Sequence, residues 1–405
     1  HTIDYPRITM YEALLKTVAR YPHSVAYDFF GSTATYTQFA AAIDTCANAL
    51  AALGLQKGDR ITISMPTCPQ GIICFYAANK IGVVASMIHP LSTAREIEFY
   101  LNKAKSTVAL TLDAFYGKFK EIQDKTSLQK LILTRIPDYL KPIMKVGFYV
   151  TKGRKIKPVP ADPLVIWWKD MMKAEHQAVP KAAMSAEEMA VILYSGGTTG
   201  TPKGIMLSNL NFISEGMQVA AWGDLNDKDV ILAILPIFHG FGLGVCINAA
   251  FMGGARSILV PMFTPEILAD LIKTKQPSFV IGVPTLYEAL CHNKKFCNAN
   301  LSCLRASFSG ADTLPRPVKE QFESVVKRQG GKAKLREGYG LTEAVTAIMA
   351  LPLYEYREKS IGVPFPDMSA KIIKTGTFDE APAGEEGELC ISGPAVMMGY
   401  LDNPQ

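Results

Sequence analysis

The chain has 405 residues, 48% of them hydrophobic, with a formal charge of +5. That length and apolar content allow large buried cores and more than one lobe. The charge is too weak to indicate nucleic acid or membrane, the eight cysteines form no CxxC, and the six histidines are not at ligand spacing, so reduced thiols and no structural zinc are expected.

In chain order, helical spacing over Tyr11 to Tyr21 and Thr37 to Leu53 encloses a strand-like Val25 to Phe30. Strands at Gly58 to Ser64, Val83 to Met87 and Val108 to Leu112 then alternate with helices through Gln70 to Ile81 and Ala94 to Lys103. Alternation of this length predicts an α/β fold with largely parallel sheets covered by helices. From Tyr139 to Pro158, six Lys and Arg interleave with apolar residues and no acid occurs. The segment suits a solvated connector, or peripheral contact with an anionic membrane; nucleic acid is not expected from one short basic run.

The alternation resumes with a helix from about Ser208 to Trp222, strands at Val230 to Leu235, Ala255 to Leu259 and Ser278 to Val283, and helices at Pro265 to Lys273 and Thr285 to Leu290. Val230 to Gly254 carries no charged residue and is long enough to span a bilayer, but Pro236, His239 and the glycines favour a strand, a tight loop and a small-residue helix from about Leu243. After roughly Gly362, alternating stretches such as 369–374 and 387–393 predict antiparallel strands and a small distorted barrel. The chain order suggests a first α/β subdomain over 1–190, a second over 191–335 and a mainly β-barrel part over 336–405.

The chemistry concentrates in VILYSGGTTGTPKG, Val191 to Gly204. Four apolar residues lead into a run in which Gly196, Gly197, Gly200 and Gly204 let backbone N–H groups approach an anion, while Ser195, Thr198, Thr199 and Thr201 add hydroxyls and Lys203 a charge. Pro202 and Gly204 depart from the Walker A pattern. Two later segments fit beside it. In Ser309 to Pro315, Gly310 and Ala311 leave room for a flat ligand; in EGYGLTE, Glu337 to Glu343, Tyr339 can stack on a base, Thr342 can donate to a phosphate and Glu343 offers hard oxygens to Mg²⁺. Taken alone, the second is equally a strand-end turn with an exposed glutamate.

In order, YSGGTTGTPKG, LPIFHGFG, SGADTLP, YGLTE and GELCISGPAVMMGYLDNP resemble the motif series of the adenylate-forming (AMP-binding) superfamily. The likeness covers nearly all of the chain and points to the large N-terminal domain of a medium- or long-chain fatty acyl-CoA synthetase-like enzyme. It implies ATP-dependent conversion of a carboxylic acid to acyl-AMP and pyrophosphate, then thioester formation with coenzyme A. By the same resemblance, Ser195, Gly196, Gly197, Thr198, Thr199, Gly200 and Lys203 hold the β- and γ-phosphates. Gly310 and Ala311 line the adenine slot, Tyr339 stacks on adenine, Glu337 and Gly338 belong to the nucleotide-binding set, Thr342 contacts the α-phosphate, Glu343 binds Mg²⁺ and His239 lies beside the reacting carboxylate; His239 is otherwise a satisfied histidine in a Gly-rich turn.

Phe238 is followed by His239 where amino-acid-activating relatives carry aspartate, which disfavours an amino acid. An aryl acid, or transfer to a carrier protein, stays open as an alternative, and a non-catalytic ATP- or acyl-binding protein is the rival of another class. The family's lid domain would lie downstream of Gln405, so this stretch alone is expected to have little activity. The chain begins at His1 without a methionine, as a trimmed chain would, and His1 to Phe30 holds no signal-peptide core. A cytoplasmic enzyme, with 139–158 open to peripheral contact at the inner face of a membrane, is the expectation.

Overall fold

The computed structural model describes residues 2–151, 156–196 and 202–403. Apolar runs too short for helices, such as ITI at 61–63 and VIL at 191–193, become strands whose residues are fully buried, because helices cover both faces of the sheets they enter. Two large sheets result. The first has eight strands in the order Gly399–Tyr400, Lys203–Ser208, Met189–Ser195, Val84–Met87, Arg60–Ser64, Val108–Leu112, Lys130–Thr134 and Val165–Trp167. Its pairs are parallel from Met189–Ser195 to the far edge and antiparallel at the near edge.

The second sheet has nine strands, ordered Val363–Pro364, Ala347–Ala350, Leu335–Gly340, Ala306–Ser309, Phe279–Gly282, Val230–Ala233, Arg256–Leu259, Val25–Phe29 and Ser32–Thr35. It is parallel between Leu335–Gly340 and Val25–Phe29 and antiparallel at both ends. Ser369–Ile373 and Glu388–Ser392 form a separate antiparallel pair. The fold is thus mixed α/β, with two largely parallel sheets and a small antiparallel one.

The sheets do not divide the chain at residue 190. Met189–Ser195 pairs in parallel with Val84–Met87, which buries its middle five residues, so the glycine-rich loop hangs from the first sheet rather than a second unit. Conversely, Val25–Phe29 crosses to pair with Arg256–Leu259 at the edge of the second sheet. Residues 336–403 are shared out: Ala347–Ala350 and Val363–Pro364 extend the second sheet, Gly399–Tyr400 joins the first, and the two-stranded sheet stands between them in sequence.

Helices Pro69–Lys80 and Asn209–Trp222 are packed into the core that the sheets share. Every residue of Pro69–Lys80 is buried. Polar side chains set the register there: Asn79 Nδ2 donates to Asn209 Oδ1 at 2.7 Å, and these two side chains accept the backbone N–H groups of Tyr11 and Met10. Thr9 with Glu12, Thr35 with Gln38 and Thr93 with Glu96 form capping boxes, each satisfying helix N–H groups that have no intrahelical partner. The uncharged segment after Ala233 turns at Pro236 and enters a π-helix, Phe241–Ala249, continued by Ala250–Gly253. No described helix is long and apolar enough to cross a membrane.

Candidate active site

The site lies where the ends of the two sheets approach each other. Strand Leu335–Gly340 runs into a 3₁₀ turn, Thr342–Ala344, and then into Val345 at φ 63°, ψ −66°. That is the strained γ-turn conformation, closed by Thr346 N–H donating to the Ala344 carbonyl at 2.7 Å. A β-branched residue held there marks a segment fixed by its surroundings. Two glycines allow it. A methyl group on Gly340 would lie 1.7 Å from the Thr346 carbonyl oxygen, and one on Gly240 would lie 1.7 Å from that of Val345. The HGFG glycine of the second motif is therefore a contact point for the turn that carries Thr342 and Glu343.

A cavity of about 400 Å³ runs along this junction. It is lined by Gly310, Ala311, Gly338, Tyr339, Thr342 and His239 and by apolar side chains, Trp222, Ile231, Phe279 and Phe365 among them. Ala311 takes a left-handed φ of 69°, and the Phe241 ring lies against Gly310, 3.2 Å from where a methyl group would sit. Ser309 Oγ is buried there without a hydrogen-bond partner. Glu337, expected among the nucleotide-binding residues, does not line this cavity. The alternation of its strand turns its carboxyl to Tyr356, whose hydroxyl donates to Oε1 at 3.3 Å, and burial raises its pKa.

His239 separates this cavity from a second one of about 370 Å³, lined by His89, Leu91, Tyr194, Ser195, Gly196, Pro202 and Phe238. The rings of His89, Phe238 and His239 contact in sequence at tilts of 49° and 51°, with centroids 4.3 and 4.7 Å apart. The His239 ring is open to cavity solvent, yet the protein around it lowers its pKa by desolvation, with His89 adding a smaller repulsion. At neutral pH His239 is therefore an uncharged donor and acceptor. His89 also titrates low, chiefly through burial, and its Nδ1 accepts the Leu91 N–H at 2.8 Å.

The glycine-rich loop joins the antiparallel strands Met189–Ser195 and Lys203–Ser208, with Ser195 opposite Lys203. Gly197, Thr198, Thr199 and Gly200 lie outside the described residues. Beneath the loop, the buried Tyr194 hydroxyl is 3.0 Å from Ser86 Oγ. The Lys203 ammonium sits over the Tyr400 ring at 5.0 Å, and the Tyr400 hydroxyl donates to Glu343 Oε1 at 3.1 Å. Sequence reasoning assigned Tyr400 no role, although its GYLDNP motif was part of the resemblance; only the pairing of Gly399–Tyr400 with Lys203–Ser208 reveals it.

The AMP-binding enzyme family matches residues 14–401. The chain belongs to this family. It is an enzyme of the adenylate-forming superfamily, an acid–thiol ligase. The long-chain-fatty-acid–CoA ligase of Bacillus subtilis (strain 168) is 32% identical over 413 residues, which span 100% of this chain and 72% of that protein. The enzyme of the same name from Escherichia coli O6:H1 is also 32% identical, over 96% of this chain and 70% of its own length. Among solved structures, a long-chain-fatty-acid-CoA ligase from Archaeoglobus fulgidus has a TM-score of 0.86 at 22% identity, covering 99% of this chain and 78% of that one. A benzoate CoA ligase from Burkholderia xenovorans LB400 gives 0.83 at 20%, over 98% and 74%. These two likenesses concern the fold of this AMP-binding chain.

Proposed function

We propose that the protein activates a medium- or long-chain fatty acid with ATP, releasing pyrophosphate, and transfers the acyl group from acyl-AMP to coenzyme A. The observation that carries this reading is the cavity in which Tyr339, Gly310, Ala311, Thr342 and His239 share one space with apolar walls. A nucleotide on Tyr339, Gly310 and Ala311 brings its α-phosphate to Thr342 while an alkyl chain lies against the apolar walls. The names of the bacterial relatives support the same acid class.

The chemistry follows from charge. A carboxylate oxygen forms a bond to the α-phosphorus as the bond to pyrophosphate breaks, so two anions must be aligned and their repulsion offset. Thr342 donates to the α-phosphate, Ser195 and the glycine-rich loop hold the leaving pyrophosphate, and Lys203 balances charge from the loop's base. Neutral His239 orients the carboxylate without trapping it in an ion pair. A single half-buried carboxylate, Glu343, steadied by Tyr400, fits Mg²⁺, which takes one or two protein carboxylates plus substrate phosphates. When bound, that ion neutralises phosphate charge. In the second step the thiol sulfur bonds to the acyl carbon, its proton is lost and AMP leaves.

Pyrophosphate exchange across fatty, aryl and amino acids, followed by assay of AMP and thioester with coenzyme A, tests the proposal. Exchange with fatty acids and a coenzyme A thioester are expected. Exchange only with aryl acids would overturn the acid class, thioester only on a carrier protein would overturn the acceptor, and no exchange with any acid would sink the reaction.

A further inference from the structure

Helix Asn209–Trp222 carries Asn209, Asn211, Ser214, Glu215 and Gln218 into the core. Buried polar groups are costly unless they meet partners, so where they reach shows what the helix holds. Asn211 Nδ2 donates to the carbonyls of Pro394 and Val396, both at 2.8 Å, and the next residue, Met397, donates its N–H to the Glu343 carbonyl at 2.7 Å. Gln218 Nε2 donates to the Pro366 carbonyl at 2.7 Å, beside Phe365 of the larger cavity's wall. Glu215 stands between these two on the same face of the helix, four residues after Asn211 and three before Gln218.

Its carboxyl is wedged between two segments of the site. On one side is Gly244 of the π-helix, where a methyl group would lie 2.9 and 3.0 Å from the two carboxyl oxygens and 3.1 Å from Val345 Cγ1. On the other is the start of strand Ala347–Ala350, whose Ala347 N–H meets the acid. Glu215 is absent from both cavity linings, whereas Val245 and Ala347, next to its contacts, line the larger one. The acid therefore supports the wall from behind. Burial raises its pKa to about 8, so at neutral pH it keeps its proton and brings no charge into the core. We infer that Glu215 is a positioning residue for acid activation: its carboxyl sets the spacing between the π-helix at Gly244 and the turn that carries Thr342 and Glu343. The inference rests on the reading in which Thr342 and Glu343 meet the nucleotide.

Pyrophosphate exchange by the whole protein, read as kcat per folded molecule and as the KM for ATP, tests it. Glu215→Ala should lower kcat about tenfold, as misplacement of reacting groups by a fraction of an ångström does, and leave the KM for ATP within about threefold. Glu215→Gln, which keeps the shape and the acceptor, should return most of that rate. Gly244→Ala presses a methyl onto the carboxyl and should reproduce the kcat loss. The double variant Glu215→Ala with Gly244→Ala should lose no more than the worse single one, because the methyl enters the space the acid leaves. If Glu215→Ala does not fold, Gly244→Ala compared with the parent and Glu215→Gln carries the test. Variants that lose Tm while kcat per folded molecule stays within about threefold would make Glu215 a packing residue and overturn the inference. So would losses that multiply in the double variant, or a Glu215→Gln as slow as Glu215→Ala. No exchange by the parent with any acid would instead sink the proposed reaction, and this role with it.

Discussion

Gly240→Ala is the sharpest test of how the second motif works. Gly240 has ordinary right-handed helical dihedrals, so alanine costs nothing in backbone conformation. The objection is space: the added carbon would lie 1.7 Å from the Val345 carbonyl oxygen and 2.8 Å from its carbon, both backbone atoms that cannot rotate away. Side-chain carbons essentially never come within 3.0 Å of a neighbour, so the two segments must part by about 1.3 Å. The segment that yields is either the His239 turn or the strained turn that carries Thr342 and Glu343.

Displacing reacting groups by about 1 Å costs roughly 100-fold in rate, and forcing a methyl into a packed site costs about 1–3 kcal/mol. Gly240→Ala should therefore lower kcat for pyrophosphate exchange by roughly 100-fold, with a smaller effect on ATP affinity, and lower the Tm by a few degrees. Gly117→Ala is the control, because Gly117 has no neighbour within 4 Å of the added carbon and lies in a helix. If Gly240→Ala exchanged pyrophosphate within about threefold of the parent, the contact between the two motifs would not position the chemistry, and the reasoning would fail.

Tyr400→Phe keeps the ring under Lys203 but removes the donor to Glu343, so it should raise the Mg²⁺ requirement for exchange roughly tenfold at nearly unchanged Tm; an unaltered Mg²⁺ titration would exclude Tyr400 from the site. Because burial lowers the His239 pKa below 6.5, His239 stays neutral until pH falls under that value, and the acid limb of the exchange profile should lie below 6.5 and vanish in His239→Gln. His239→Ala should slow exchange far more than it weakens ATP binding. Glu215 is fully buried, and burial pushes its pKa to about 8 against a smaller lowering by the Ala347 N–H. Its ionisation then opposes folding increasingly as pH rises from about 4.5 to about 8, so the stability of Glu215→Gln relative to the parent should climb across that window, by on the order of a few kcal/mol; a pH-independent difference in Tm would refute this. His89→Trp, which fills the second cavity beside Ser195 and Gly196, should slow pyrophosphate exchange at least as much as thioester formation, whereas a loss confined to thioester formation would take the phosphates out of that cavity.

The sequence made the parallel α/β class legible because buried strands and amphipathic helices each carry a local period, and helices such as Asn209–Trp222 and Ala94–Ala104 fall within a residue or two of their expected ends. Sheet membership was not legible. Nothing in MAVILYS says that it pairs with Val84–Met87, and the edge strand Val25–Phe29 finds its partner far along the chain. Lys130–Thr134 escapes a sequence reading because five apolar-leaning residues do not distinguish a strand from a short helix. At the site, motifs identify which residue types assemble, but not that Glu337 faces Tyr356, nor that Gly240 is needed by the backbone of Val345. Both are facts of packing between segments, and no local pattern encodes them.

The strand Gly399–Tyr400 shows what such packing accomplishes. The Leu401 N–H donates to the Gly204 carbonyl at 2.7 Å, and Met398 donates to Met206 at 2.9 Å, tying this segment to the hairpin that carries Lys203. One residue earlier, Met397 donates to the Glu343 carbonyl at 2.7 Å, and Tyr400 adds its side-chain bond to the same glutamate. The base of the glycine-rich loop and Glu343 are carried by different sheets, so nothing within either sheet fixes their separation. A five-residue stretch bonded to both does so. On the proposed reading, groups that meet the same triphosphate are thereby placed before it arrives, and preorganisation of this kind lets their electrostatics act without reorganisation at the moment of reaction.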